Sequence, residues 1–326
     1  MHGYRNIFQI KTSKQFEEQT LSVFQYQSQN NGVYKEYIDF LGTDVSKIKK
    51  IEQIPFLPVE FFKSRKVICG NEDFEVMFTS SGTTGMDFSR HFVKNTELYK
   101  ESFRRGFELF YGRISDFCIL ALLPSYLERT GSSLVYMTED LIRESRNSDS
   151  GFYLYDFEKL YEKLLILEKL KQKILLLGVS FALQDFFEKY PMNLKSTIIM
   201  ETGGMKGRKK ETVRSELHDF LKSAAGVSSV HSEYGMTELL SQAYSCGNGR
   251  FFCPPWMRVF VRDAYDPFDF VLPGKSGGLN VVDLANFNSC SFIETKDLAV
   301  TNDDGSFEIL GRFDSSDIRG CNLLAV

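Results

Sequence analysis

Residues 117–123 read Phe-Cys-Ile-Leu-Ala-Leu-Leu, an unbroken apolar run that stops at Pro124. A run of this length without polar alternation suits a strand buried on both faces, as in a parallel sheet covered by helices. Residues 173–179 read as another buried strand, residues 195–202 as a strand ending in Gly203-Gly204, and residues 227–234 follow before a further turn. Segments of helical spacing stand between these runs, at about 156–171, 183–190 and 211–225. Such alternation predicts an α/β fold with layered sheet and helices.

Upstream, residues 11–50 carry helical patterns, with Phe16, Leu21, Val23 and Phe24 in one and Tyr34, Tyr37, Ile38 and Leu41 in the next. Pro55 and Pro58 interrupt any helix beyond them. Residues 74–79 alternate and read as a strand. Residues 92–111 read as one long helix with Phe103, Phe107 and Phe110 on a face. After about residue 250, Gly, Asp, Pro and Asn become frequent, and short strands at 257–263, 277–283 and 306–310 replace helices. The expected organisation is one large domain over 1–326, with an α/β body over 1–250 and a smaller β-rich lobe over 251–326. No internal repeat or low-complexity linker is visible.

Composition narrows the function classes. Hydrophobic residues at 43% and charged residues at 25% give a soluble globular balance. The 39 basic and 43 acidic side chains leave a net charge of −4, and the densest basic cluster, Arg208-Lys209-Lys210, is followed at once by Glu211. No positive face large enough to track nucleic acid is expected. The cysteines, at positions 69, 118, 246, 253, 290 and 321, show no metal-ligand spacing, and there are four histidines. A disulfide framework and a conventional zinc site are both disfavoured. The opening MHGYRNIFQI lacks the apolar stretch of a signal peptide, and runs such as 174–177 are far too short to span a membrane. The expected location is the cytoplasm.

Three local signals carry chemistry. The first is Thr79-Ser80-Ser81-Gly82-Thr83-Thr84-Gly85, placed directly after the 74–79 strand. Small hydroxyl residues and glycines leave backbone N–H groups free to wrap an anion, an arrangement suited to the β- and γ-phosphates of ATP. It lacks the Gly-Lys-Ser/Thr of a Walker loop, and a Ser/Gly surface turn is the plain alternative. The second is Ser232-Glu233-Tyr234-Gly235-Met236-Thr237-Glu238. Its carboxylate is a hard oxygen ligand for Mg²⁺ and its aromatic ring can stack on a purine; the alternative is a helix cap at Thr237. The third is Asp297 followed by Gly311-Arg312, a carboxylate suited to paired ribose hydroxyls and a guanidinium suited to phosphate or ribose oxygen. Each of these last two is equally at home on an ordinary surface.

In this order, the three signals resemble the acyl-adenylate-forming ligase superfamily over roughly residues 56–321. Within it the chain is more similar to the acyl-protein synthetases of bacterial bioluminescence, the LuxE-like group. The pointers are the stretches 55–63, 123–129, 202–207 and 316–321. Phenylacetate-CoA ligases are more distant relatives.

The resemblance implies an adenylate-forming N-terminal-domain fold and ATP-dependent activation of a carboxylic acid as acyl-AMP, with fatty acids among the candidate substrates. It places Ser80, Ser81, Gly82, Thr83, Thr84 and Gly85 on the phosphates, and Gly203 and Gly204 along the adenine. Tyr234 falls near the adenine, Thr237 near the α-phosphate and Glu238 on Mg²⁺. Asp297 falls on the ribose, with Arg312 assisting there or at the phosphate. Cys321 matches the C-terminal cysteine that receives the acyl group. The implied cofactors are ATP and Mg²⁺. The implied acceptor is a protein, such as Cys321 itself, a reductase or a carrier; coenzyme A is the alternative acceptor, and a non-catalytic nucleotide-binding subunit the alternative role.

Two departures stand out. Met86, Asp87 and Phe88 follow Gly85 where many superfamily members have Pro and Lys, and the mobile C-terminal domain with its lysine is expected to be absent. Activation would then draw on Lys206, Lys209 or a partner. The expected acyl-pocket walls are Tyr126, the 203–207 turn and the residues around His231 to Met236.

Overall fold

A computed structural model describes residues 4–71, 73–80, 88–124, 131–203 and 214–312. Its strands, in chain order, are β1 Leu57–Pro58, β2 Val76–Thr79, β3 Arg90–Val93, β4 Cys118–Leu122, β5 Gly151–Phe152, β6 Ile174–Val179, β7 Thr197–Thr202, β8 His231–Tyr234, β9 Ala243–Ser245, β10 Met257–Arg262, β11 Ser276–Asp283, β12 Phe292–Thr301 and β13 Phe307–Arg312. The described residues fall into two compact units. One is drawn from Met1–Glu75, Ser89–Lys94 and Pro255–Val326, the other from Val76–Phe88 and Asn95–Pro254.

The second unit is built on the sheet β5-β4-β6-β7-β8-β9. From β5 to β8 the pairs are parallel, and β9 closes the edge antiparallel to β8. Every residue of β4 and β6 is buried, as an unbroken apolar run requires when helices cover both faces. Leu160, Leu164, Leu183, Phe186, Leu217 and Leu221, from the helices Phe157–Lys169, Ser180–Lys189 and Arg214–Ala225, pack into this core. Asp156 caps the first of these helices by accepting the N–H of Lys159.

Two expectations change here. The long helix over 92–111 is a strand and a helix. β3 runs to Val93, and Asn95 then accepts the N–H of Leu98 to cap the helix Thr96–Tyr111. A capping side chain sets the start that apolar spacing alone leaves open. A further helix, Ser133–Ser145, stands where the sequence reading assigned no element; its buried face includes Thr138, Asp140 and Ser145 beside Met137 and Leu141.

The first unit holds a second sheet, β1-β12-β11-β10, with β13 paired to β12. Residues 255–312 do not stand alone in it. Parallel pairing of β1 with β12 sets Leu57 against Ile293 and Pro58 against Glu294. Gln27, on the helix Ser13–Asn30, donates through Nε2 to the carbonyls of Asn286 (2.9 Å) and Phe287 (3.0 Å) and accepts the N–H of Ser291 at 2.9 Å. The N-terminal segment is therefore part of the β-rich unit, because it satisfies that unit's buried backbone groups. Replacing Gln27 with Leu should lower stability by about 2 kcal/mol, since buried donors and acceptors lose their partner. Urea unfolding measures this, and an unchanged midpoint would contradict it.

Candidate active site

The parallel order of β6, β7 and β8 brings their carboxyl ends together, the edge where open α/β sheets bind ligands. Val179 pairs with Thr202, and Thr202 with Glu233. Three segments therefore leave the sheet side by side, starting at Ser180 after β6, Gly203 after β7 and Gly235 after β8. The Tyr234–Glu238 string occupies the last of them, with a turn in which Leu239 N–H meets the Met236 carbonyl at 3.1 Å. Glu238 and Tyr234 are buried, while Thr237 is half-buried. The Tyr234 hydroxyl lies 3.6 Å from the Met236 sulfur, and its ring meets Phe251 edge-on at 6.0 Å. Ser80, half-buried, follows β2, whose Thr79 N–H donates to the Gly131 carbonyl at 2.8 Å.

At these strand ends lies a polar network that the sequence reading did not single out. Glu201, 3% exposed, accepts from the Ser180 hydroxyl at 2.8 Å and from the Ser232 hydroxyl at 3.0 Å. Arg214 and His218 each approach its Oε2 at 3.5 Å. The Ser180 hydroxyl also lies 3.0 Å from the Gly203 carbonyl. Burial opposes ionisation of Glu201, but His218, Arg214 and Ser180 together outweigh it and hold the carboxyl below its ordinary range.

Glu233 is the opposite case. It accepts a hydrogen bond from the Thr202 hydroxyl, yet burial and the nearby Glu201 charge push its pKa up from 4.5 to about 7. The glycine at 235 follows from this packing, since a Cβ there would lie 2.4 Å from the Glu233 Oε1. The signal in the sequence was a carboxylate inside each of two strand runs, at Glu201 and Glu233, where a solvated side chain has no room.

His231 opens β8, where its Nδ1 is 3.3 Å from the Tyr111 hydroxyl. Burial lowers its pKa. In the other unit, Asp297 and Arg312 are register partners on β12 and β13, and Arg312 Nη1 donates to Asp297 Oδ1 at 2.9 Å. The arginine's nearest observed role is thus to hold the carboxylate.

Of the remaining expected site residues, Ser81, Gly82, Thr83, Thr84, Gly85, Gly204 and Cys321 lie outside the described residues, as do Tyr126, Lys206 and Lys209. Among the described cysteines, Cys69, Cys118 and Cys290 are buried. Burial pushes Cys69 up to about 12 and Cys118 up to about 11, and raises Cys290 as well. These stay protonated at neutral pH and are poor nucleophiles. Cys246 is exposed and Cys253 half-buried.

Among the described residues, no three His, Cys, Asp or Glu side chains assemble for a metal ion. Glu238 is a hard oxygen donor of the kind Mg²⁺ takes singly when a nucleotide supplies phosphate oxygens, so the residues present fit that ion. No described helix is long and apolar enough to cross a membrane.

This architecture is that of the adenylate-forming ligases. An open conformation of 2-hydroxyisobutyryl-CoA ligase, in complex with 2-HIB-AMP and CoA, superposes with a TM-score of 0.72 at 13% identity, over 92% of this chain and 70% of that one. The same ligase in its thioesterification state gives 0.69 at 15% identity, over 95% and 70%. ATP-bound MatB from Rhodopseudomonas palustris gives 0.54 at 17% identity, covering 72% of this chain and 47% of that one. The chain thus spans about half the length of MatB. The acyl-protein synthetase (LuxE) family model matches residues 8–325, and the chain belongs to that family. No curated protein matches it.

The raised Glu233 carboxyl makes a pH prediction. The folded state binds its proton more tightly than the unfolded chain does, so its stabilising contribution is whole below about pH 4.5 and is lost as pH rises through about 7. Full loss amounts to about 3 kcal/mol. Glu233→Gln should therefore flatten the fall in stability across this window and exceed the native protein in stability at pH 8. Parallel denaturation curves at pH 5 and pH 8 for both proteins would contradict this.

Proposed function

We propose that this chain uses ATP to activate a carboxylic acid as an acyl-adenylate and then delivers the acyl group to a thiol. The observation that carries the reading is the position of the Tyr234–Glu238 string at the carboxyl end of β8, next to the carboxyl end of β7 where Thr202 pairs with Glu233. Family membership across residues 8–325 supports it.

In the first step, a carboxylate oxygen of the acid attacks the α-phosphorus of ATP. The bond to the bridging oxygen breaks and pyrophosphate leaves. Ser80, with Ser81, Gly82, Thr83, Thr84 and Gly85, is assigned to the β- and γ-phosphates, and Thr237 to the α-phosphate. Tyr234, Gly203 and Gly204 are assigned to the adenine, and Asp297, held by Arg312, to the ribose hydroxyls. Glu238 would hold Mg²⁺, which when bound would supply charge neutralisation for the departing pyrophosphate. In the second step, a thiolate attacks the acyl carbon, the bond to AMP breaks, and the thiol proton passes to solvent.

The acceptor has two readings. Coenzyme A is favoured by the solved relatives, which include a ligase holding both an adenylate and CoA. A protein thiol is favoured by the family description, with Cys321 the residue assigned from the sequence. The raised thiols of Cys69, Cys118 and Cys290 argue against those three as acceptors.

Mass spectrometry after incubation with ATP, Mg²⁺ and a panel of acids, with and without CoA, should reveal acyl-AMP. Acyl-CoA in the second arm supports the ligase reading. A hydroxylamine-sensitive adduct lost in Cys321→Ser supports protein transfer, whereas an adduct mapped to Cys246 or Cys253 overturns Cys321. Glu238→Gln keeps shape and removes charge, so turnover should drop about a hundredfold with the melting temperature held. Full activity in that variant would rule out the metal role.

A further inference from the structure

Asp297 sits at a place where the β-ladder is irregular on both sides. Gly278 pairs with Leu298 and Asn280 with Glu294, so β12 carries residues 295–297 where β11 carries only Leu279. On the other edge, the register with β13 shifts between Leu298 and Ala299. A bulge of this kind re-aims side chains, and its backbone groups must find partners other than the ladder.

Two side chains supply those partners. The Thr295 hydroxyl donates to the Leu279 carbonyl at 2.8 Å and accepts the Asp297 N–H at 3.1 Å. Arg262, 3% exposed, reaches across β11 from β10. Its guanidinium donates to the Leu279 carbonyl (3.1 Å), the Asn280 Oδ1 (2.9 Å) and the Thr295 carbonyl (2.9 Å), and lies 3.4 Å from Glu294. Arg262 can take this path because its register partner is Gly278, where a Cβ would lie 2.3 Å from the guanidinium carbon. Burial lowers the Arg262 pKa, and the Glu294 and Asp297 carboxylates oppose that shift. A buried arginine is costly unless such partners are present.

We propose that Arg262 and Thr295 are positioning residues that fix the β12 bulge and so aim Asp297 at the ribose hydroxyls of the bound nucleotide. The inference rests on the ribose role of Asp297 proposed above. Neither residue need touch the nucleotide; each acts through the backbone between Thr295 and Asp297. Thr295→Val removes the hydroxyl at nearly constant volume, Thr295→Ser keeps it, and Arg262→Lys keeps the charge while losing the fork of donors.

The test is equilibrium binding of ATP and of 2′,3′-dideoxy-ATP to the full chain by calorimetry. The native protein should prefer ATP. Thr295→Val and Arg262→Lys should each weaken ATP about tenfold while leaving dideoxy-ATP unchanged, so that the preference collapses. Thr295→Ser should retain it. The native preference persisting in folded Thr295→Val or Arg262→Lys would overturn the proposal, as would loss of fold in both, which assigns them a structural role alone. Equal native affinity for the two nucleotides would instead remove the ribose role of Asp297, and the proposal with it.

Discussion

One buried carboxylate ties the business end of the second unit together. Glu201 sits near the end of β7 and accepts hydroxyl protons from Ser180, which follows β6, and from Ser232 on β8. Arg214 and His218 approach its Oε2 from the helix Arg214–Ala225. Three neighbouring strand ends are thus referenced to one side chain. Apolar packing specifies that strands are buried, but it tolerates small slips and repacking. A satisfied polar network does not, because each lost partner leaves a buried group unpaired. The strand ends before Gly203 and Gly235 inherit their placement from this constraint.

The same carboxylate explains its neighbour. Two carboxyls in a buried setting do not ionise together readily. Glu201 has the arginine, the histidine and two hydroxyls, so it takes the charge. Glu233 is buried and lies in the Glu201 field, which together outweigh the Thr202 hydroxyl, so its proton is retained up to about pH 7. The different electrostatics of two adjacent strand residues follow from which of them faces Arg214.

What was legible in the sequence were the features that local chemistry decides alone. The runs that became β4 and β6 were plain because burial on both faces leaves no polar position. The string at Tyr234–Glu238 was plain because its residue types are unusual together. β12 was missed because Glu294-Thr295-Lys296-Asp297 breaks strand alternation, and the break is the bulge that Arg262 and Thr295 hold in place. The helix Ser133–Ser145, which the sequence reading did not assign, buries Asp140 against Arg104 at 2.6 Å, a long-range pairing no local window contains. The union of the N-terminal helix with the β-rich unit depends on Gln27 meeting carbonyls about 260 residues away, information no local window contains. Site roles for Thr83, Gly204 and Cys321 come from family resemblance and lie outside the described residues.

The central claim is that the chain forms acyl-adenylates. Exchange of labelled pyrophosphate into ATP reads that step without regard to the acceptor, since it needs only the reversible first reaction. The account predicts exchange that requires both Mg²⁺ and an added carboxylic acid, and that proceeds without CoA or any partner protein. ATP binding with no exchange across a broad panel of acids would contradict it and leave a nucleotide-binding protein without this chemistry.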